Sequence, residues 1–305
     1  VLVGYIMYRN DGWNVAKWWF YGVPVWVVLW TYQFDPIMLL FMLIGTYSLI
    51  KREYFKAGLW LGIGAAFKYI PALIIPFGVK IAGNRREKIL LLLGFLIPVL
   101  IVTLPFLVLD ISGFFNQAFG FHMNRYPQML SIFNIPQLLG GFEMSPLELK
   151  IITLIWLPLF ITFYIIGLLT MPSKSGDKDS IMLSICVLIL SFMIFNKVHN
   201  GNYLIWVYPY LSYWIAKKNS RIKALFIIAG IVGAVGYPTI VYLPAATLDK
   251  PVFIEEDKVW YNARDIFLRS WEGAGESIGV RVISWLKGSM RDGMVWVYIN
   301  LNILG

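Results

Sequence analysis

The feature that most limits what this chain can become is its recurrence of long, unbroken apolar runs. Stretches of about 15 to 23 residues return along almost its whole length, each long enough to approach or cross a bilayer as a helix. In lipid every backbone N–H and C=O needs an internal partner, so only helices and closed barrels can span. Barrel strands alternate apolar and polar residues, and these runs do not alternate, which selects helices. Charged residues make up only 14% of the 305 and hydrophobic residues 59%, against roughly 25% charge in a soluble domain. The expected fold is therefore all-α integral membrane: a polytopic bundle of about eight to ten membrane segments, some short or broken, with extracytoplasmic loops.

The apolar runs predict spans near 17–30, 36–50, 57–80, 89–109, 147–170, 181–195, 203–216 and 222–243. Between them, KREYFK (51–56), NRREK (84–88), PSKSGDKD (172–179) and KKNSRIK (217–223) carry most of the basic residues. Basic short connectors face the cytoplasm, so the net charge of +9 is a topology signal. No nucleic-acid partner is expected. With these connectors inside, TYQFDP (31–36), the stretch 110–146 and NKVHNGN (196–202) fall outside.

One segment resists the alternation. The run 57–80 has basic connectors at both ends, yet holds only enough residues for a single crossing. A break at FKYIP (67–71), where Lys68 and Pro71 interrupt the apolar run, would split it into two half-helices of about a dozen residues that dip in and return. Lys68 would then line a cavity. The alternative is one continuous helix with a basic connector outside, which a bias such as the positive-inside rule permits.

Residues 1–243 are read as a transmembrane helical bundle, 244–293 as an extracytoplasmic region with short amphipathic pieces, and 294–305 as the start of a final membrane helix cut short. The opening VLVGYIMYRN has no initiator Met and resembles the end of a helix, so the first helix and first outer loop are expected to precede Val1. The single cysteine, Cys186, lies in an apolar run and has no partner for a disulfide within the chain.

Polar residues set in this apolar background are the candidates for chemistry. Asp35 precedes Pro36 at a helix start, where its carboxylate is either an N-cap or a functional group beside the positive end of the dipole; Gln33 lies just before it. Lys68, about eleven residues into an apolar run, costs on the order of 2.5 to 3.5 kcal/mol to insert and needs a partner or an anionic ligand. His122 and Arg125 stand three residues apart in FHMNRYPQML, and Lys197 and His199 sit among Asn196, Asn200 and Asn202. Arg and Lys in such outer segments suit phosphate oxygens. Two histidines in all, and no HExxH or zinc-ligand spacing, leave no expected metal site; without a phosphate-cradling Gly-rich loop, no cofactor is expected.

QFDP after an early helix, AGLWLGIGAAFKYIPALIIPF (57–77), FHMNRYPQMLS (121–131) and NKVHNGNYLIWVYPYL (196–211), in this order over about 180 residues, together resemble the polytopic glycosyltransferases of the C superfamily. The resemblance is nearest to the mannosyltransferase-like branch. It implies an inverting transfer of a hexose, mannose foremost, from a polyprenyl- or dolichyl-phosphate donor to a lipid or glycan acceptor at an outer cavity. It also implies membrane lipids as surroundings and, for a prokaryotic chain, the plasma membrane. In such enzymes the catalytic Asp usually follows the first helix, a position expected upstream of Val1, so Asp35 is the substitute within the chain. The competing reading is a transporter or flippase of lipid-linked glycans, which would also need broken helices and cations at membrane depth.

Overall fold

The computed structural model of the chain describes residues 1–22, 25, 35–120, 128–129, 131–134, 145–171, 177–199, 203–231, 251–254 and 259–262. The described residues are mostly helical. In chain order they form α1 (Leu2–Asp11), α2 (Trp13–Phe20), α3 (Asp35–Ile50), α4 (Tyr54–Phe67), a 3-10 turn (Ile70–Ile74), α5 (Ile75–Ile81), α6 (Arg85–Leu109), α7 (Ile111–Phe115), α8 (Pro146–Thr170), α9 (Lys178–Phe195), α10 (Leu204–Ala216) and α11 (220–231). Among the described residues three helical segments are long and apolar enough to cross a membrane: Arg85–Leu109, Lys150–Thr170 and Lys178–Phe195, with mean hydropathy 2.8, 2.3 and 2.0.

Helix boundaries follow local chemistry. α6 starts on Asn84, whose side chain accepts from the Glu87 N–H. α8 starts on a reciprocal capping box between Ser145 and Glu148 with Pro at the first turn, and α9 on Asp177, which accepts from the Ser180 N–H. The C-terminal carbonyls of α8 are met from another element: the Lys80 ammonium, at the end of α5, bonds to the carbonyls of Leu168, Leu169 and Met171. A cation is favoured at that negative end of the dipole.

The segment that resisted alternation is broken where its sequence predicts. α4 stops at Phe67, and Lys68 is extended, with φ −161° and ψ 132°. The chain then turns through Ile70–Ile74 into α5, and the Tyr54 hydroxyl at the start of α4 donates to the Ile81 carbonyl at the end of α5, at 3.5 Å. Both ends of the segment therefore lie at one level, and Lys68 is at the apex of a hairpin. This places 51–56 and 84–88 on the same side of the bundle, as their shared basic character requires.

α4 runs parallel to α6 and against it with almost no side-chain layer between. Gly58 and Gly62, one turn apart, face backbone: a methyl group on Gly58 would sit 2.1 Å from the Leu91 carbonyl oxygen, and one on Gly62 would sit 2.4 Å from that of Phe95. From the other side, a methyl on Gly94 would lie 2.3 Å from the Phe55 carbonyl. Small residues that allow backbones to approach are the usual device where lipid removes the hydrophobic drive for helix association. Gly62→Ala is expected to destabilise the protein by about 1 to 3 kcal/mol, because the neighbour that must yield is backbone. The thermal unfolding midpoint in detergent checks this; an unchanged midpoint would remove the close-packing argument.

Since Gly62 is level with Phe95 to Pro98, Lys68 lies about level with residue 102, and α6 continues about 10 Å beyond it at 1.5 Å per residue. The hairpin apex is thus recessed below the far end of α6. Beyond that level α6 is exposed and apolar, as at Leu104, Phe106, Val108 and Leu109, a surface suited to hydrocarbon and not to water. The core of the bundle lies among α3, α9 and α10, with Leu39, Leu43, Ile189, Ile205 and Tyr210 fully buried. Of the region 244–293, the described residues form a two-stranded antiparallel pair, Pro251–Ile254 with Val259–Asn262.

Candidate active site

The polar side chains divide between the two ends of the bundle. Along α3, Asp35 at one end and Tyr47 near the other are separated by about 18 Å. Each end gathers its own cluster.

At the Tyr47 end, the Asp11 carboxylate accepts from the Tyr47 hydroxyl and pairs with the Lys178 ammonium, which also donates to the Asn10 carbonyl at 3.0 Å. Next to it, Asp179 accepts from the Tyr213 hydroxyl and from Lys217. The connectors 172–179 and 217–223 are expected on the cytoplasmic side, and the structure brings Lys178 and Asp179 of the first and Lys217 of the second to the same end as Asp11.

At the Asp35 end, the carboxylate is buried, 4% exposed, at the first position of α3. Its Oδ1 accepts from the Lys68 ammonium at 2.9 Å and from the Trp206 indole Nε1 at 2.5 Å. Lys68 keeps 28% of its side chain exposed and lies 4.5 Å from the ring centres of both Tyr203 and Trp206. Those rings stack on each other at 3.9 Å, and the His199 ring stands beyond Tyr203 at 6.2 Å, nearly parallel. A buried carboxylate and two π faces therefore supply what a lysine in an apolar run requires, while the α3 N-terminus favours the charge of the carboxylate. The ammonium is held on both sides while the side chain keeps part of its surface exposed.

The loop segments converge on this end. Gln128–Met129 forms a parallel pair with Val198–His199, and the Ser131 hydroxyl donates to the Asn196 carbonyl at 3.0 Å. The structure thus brings together Asp35, Lys68 and, through the Tyr203 ring, His199, while Lys197 lies in the same connector as His199 and Gln33, His122 and Arg125 lie outside the described residues. Arg125 is three residues before the Gln128 that pairs with Val198. Lys197 differs from the expectation of an exposed cation: it is 1% exposed and lies over the Trp156 ring at 5.7 Å.

His199 also differs from the cation its sequence context suggests. It lies in the connector between α9 and α10, outside the spanning helices, and burial lowers its pKa to about 4, so at neutral pH it is an uncharged ring. An unfolded chain takes up a proton near pH 6.5 where the folded one does not. The contribution of His199 to stability is therefore complete above pH 6.5 and is lost as pH falls towards 4, by up to about 3 kcal/mol. The thermal midpoint is expected to fall across that window in the wild type and to fall less in His199→Gln. Parallel pH curves for the two proteins would contradict the assignment.

Trp206 and Tyr203 were not singled out by sequence, although both lie in the block 196–211. The available signal was two aromatic residues one helical turn apart immediately after a basic connector, with Trp206 fully buried and bound to a carboxylate 171 residues away in sequence.

The sequence profile of glycosyltransferase family 87 matches residues 1–195. The chain belongs to glycosyltransferase family 87. This makes it a membrane glycosyltransferase and agrees with its apolar spanning helices. The matched part contains Asp35 and Lys68 and ends at the last residue of α9, so the family 87 match supplies one half of the Asp35–Trp206 contact, and α10 supplies the other. Among curated proteins none matches the chain.

Proposed function

We propose that this family 87 protein transfers a hexose, mannose foremost, from a polyprenyl- or dolichyl-phosphate-linked donor to a lipid or glycan acceptor. The reaction inverts the anomeric centre and takes place on the extracytoplasmic side of a membrane, the plasma membrane if the chain is prokaryotic. The observation that carries this reading is the partly exposed Lys68 side chain, its ammonium held at a recessed hairpin apex beside Asp35 and against the rings of Tyr203 and Trp206. Apolar α6 surface continues above it. A donor whose phosphate sits at membrane depth, with its tail in hydrocarbon, suits that arrangement.

In the proposed step the acceptor hydroxyl attacks the anomeric carbon from the face opposite the phosphate. The carbon–oxygen bond to phosphate breaks and its electron pair leaves with the phosphate, while the acceptor proton passes to a base. Lys68 opposes the charge that develops on the leaving phosphate, the kind of preorganised electrostatic contribution that dominates many enzymes. Arg125 is the further cation of the proposed site, with His122 and Gln33 as hydrogen-bonding groups; Lys197, being buried, contributes its positive charge through the packing and not by contact with substrate. His199, being neutral, serves as a hydrogen-bonding group toward sugar or phosphate oxygens. Asp35 is too enclosed to meet an acceptor hydroxyl, and its role in this reading is to hold Lys68.

The test is donor class. Purified protein in lipid nanodiscs, given labelled mannose on a short polyprenyl phosphate, is expected to form a labelled product, whereas the corresponding nucleotide sugar is expected to give none. Transfer from the nucleotide sugar alone would overturn the reading.

A further inference from the structure

Resting on the reading of Lys68 as the donor-phosphate cation, we propose that Trp206 is a positioning residue that acts through Asp35, weakening the hold of the carboxylate on the ammonium so that Lys68 can exchange Asp35 for a lipid-linked phosphate. The geometry that carries this is the convergence of two donors on one oxygen. Lys68 Nζ at 2.9 Å and Trp206 Nε1 at 2.5 Å both bond to Asp35 Oδ1.

An ammonium bound to a buried carboxylate has little attraction left for a second anion, because most of its field is already cancelled. Leaving the carboxylate would ordinarily strand a buried negative charge, which is costly. Asp35 is spared that cost by two other sources of positive potential. The indole N–H stays in place when Lys68 moves, since Trp206 is fully buried in the α10 packing, and Asp35 occupies the first residue of α3, where the helix dipole favours a negative charge. The cation has its own guide. Lying 4.5 Å from both Tyr203 and Trp206, it can shift across the ring faces while keeping part of its cation–π attraction. A single oxygen with two donors and a cation with two π faces thus form an exchangeable pair, with partners on both sides that do not move.

Trp206 therefore helps phosphate binding, and Asp35 competes with it. Trp206→Phe keeps an aromatic ring for the cation but removes the N–H from Oδ1. Asp35→Asn releases the ammonium. Because a hydrogen bond to a charged group is stronger than one between neutral groups, the expected change for Trp206→Phe is a roughly tenfold weaker affinity for the anion.

The experiment measures binding of a short-chain prenyl monophosphate, not sugar transfer, to the full chain in nanodiscs by titration calorimetry. Each variant is first shown to keep a thermal midpoint near that of the wild type. Trp206→Phe is expected to bind about tenfold more weakly and Asp35→Asn at least as tightly as wild type. The double variant is expected to match Asp35→Asn, since the indole N–H acts on Lys68 only through the charge of the carboxylate and phenylalanine keeps a ring face beside the cation. If Lys68→Met binds the prenyl phosphate as well as wild type, the assignment of Lys68 itself fails. If Lys68→Met loses binding but Trp206→Phe binds normally, or weakens binding equally with and without the carboxylate, the exchange mechanism fails while the Lys68 assignment stands.

Discussion

Lys68→Met is expected to lower transfer from a polyprenyl-phosphate donor by about a hundredfold or more, with the bundle still folded. Removing one preorganised group aimed at developing charge typically costs about 3 to 4 kcal/mol in the transition state, and a lysine at membrane depth works where little water screens it. Methionine keeps the length and apolar character of the stem, so the contacts beneath Tyr203 and Trp206 survive. The carboxylate left behind retains the Trp206 N–H and the α3 N-terminus. Lys68→Arg is expected to recover part of the rate, because it restores charge with a larger, planar head. The double variant Asp35→Asn/Lys68→Met separates folding from chemistry: it removes both charges, and its midpoint is expected to stay near wild type while transfer remains lost. Transfer by Lys68→Met within a few-fold of wild type would move the active site elsewhere in the protein.

Lys68 and Asp35 could be read from sequence because an ionisable residue is conspicuous against an apolar background that raises the cost of placing it there. The hairpin was readable for the same reason: two basic connectors favoured one side, and Lys68 with Pro71 offered a place to turn near the middle of the run. What escaped was carried by residues that the background hides. An indole in an apolar helix looks like core, and its bond to Asp35 joins α10 to α3 across most of the chain. The burial of Lys197 and the neutral state of His199 depend on how the connector after α9 folds against 128–131, which no periodicity encodes. The Gly58 and Gly62 pair was visible within 57–77 as letters, but its meaning depended on which helix lay opposite.

Asp11 is the sharpest case, and it carries the second large effect. In sequence it is a lone carboxylate near Arg9 and Lys17, and neither is its partner in the structure. Its side chain is 2% exposed and its partner is Lys178, at the start of α9, with Tyr47 of α3 as second donor. Removing one member of a buried ion pair strands the other and costs about 3 to 5 kcal/mol. Lys178 is 30% exposed, so water recovers part of that, and Lys178→Met is expected to destabilise the protein by about 2 to 3 kcal/mol. The neighbouring pair of Asp179 and Lys217 is 41% exposed on both sides, and breaking it by Lys217→Met is expected to cost about 1 kcal/mol or less. Chemical unfolding of the two variants in mixed micelles gives the comparison, with Asp11→Asn/Lys178→Met expected to regain most of the loss by removing the stranded charge. Equal effects at the two pairs would mean that burial does not set their strength. The contrast bears on function because Asp11, Tyr47 and Lys178 join α1, α3 and α9 at the end of the bundle opposite Lys68. A buried pair thus anchors three helices at the end remote from the proposed donor site.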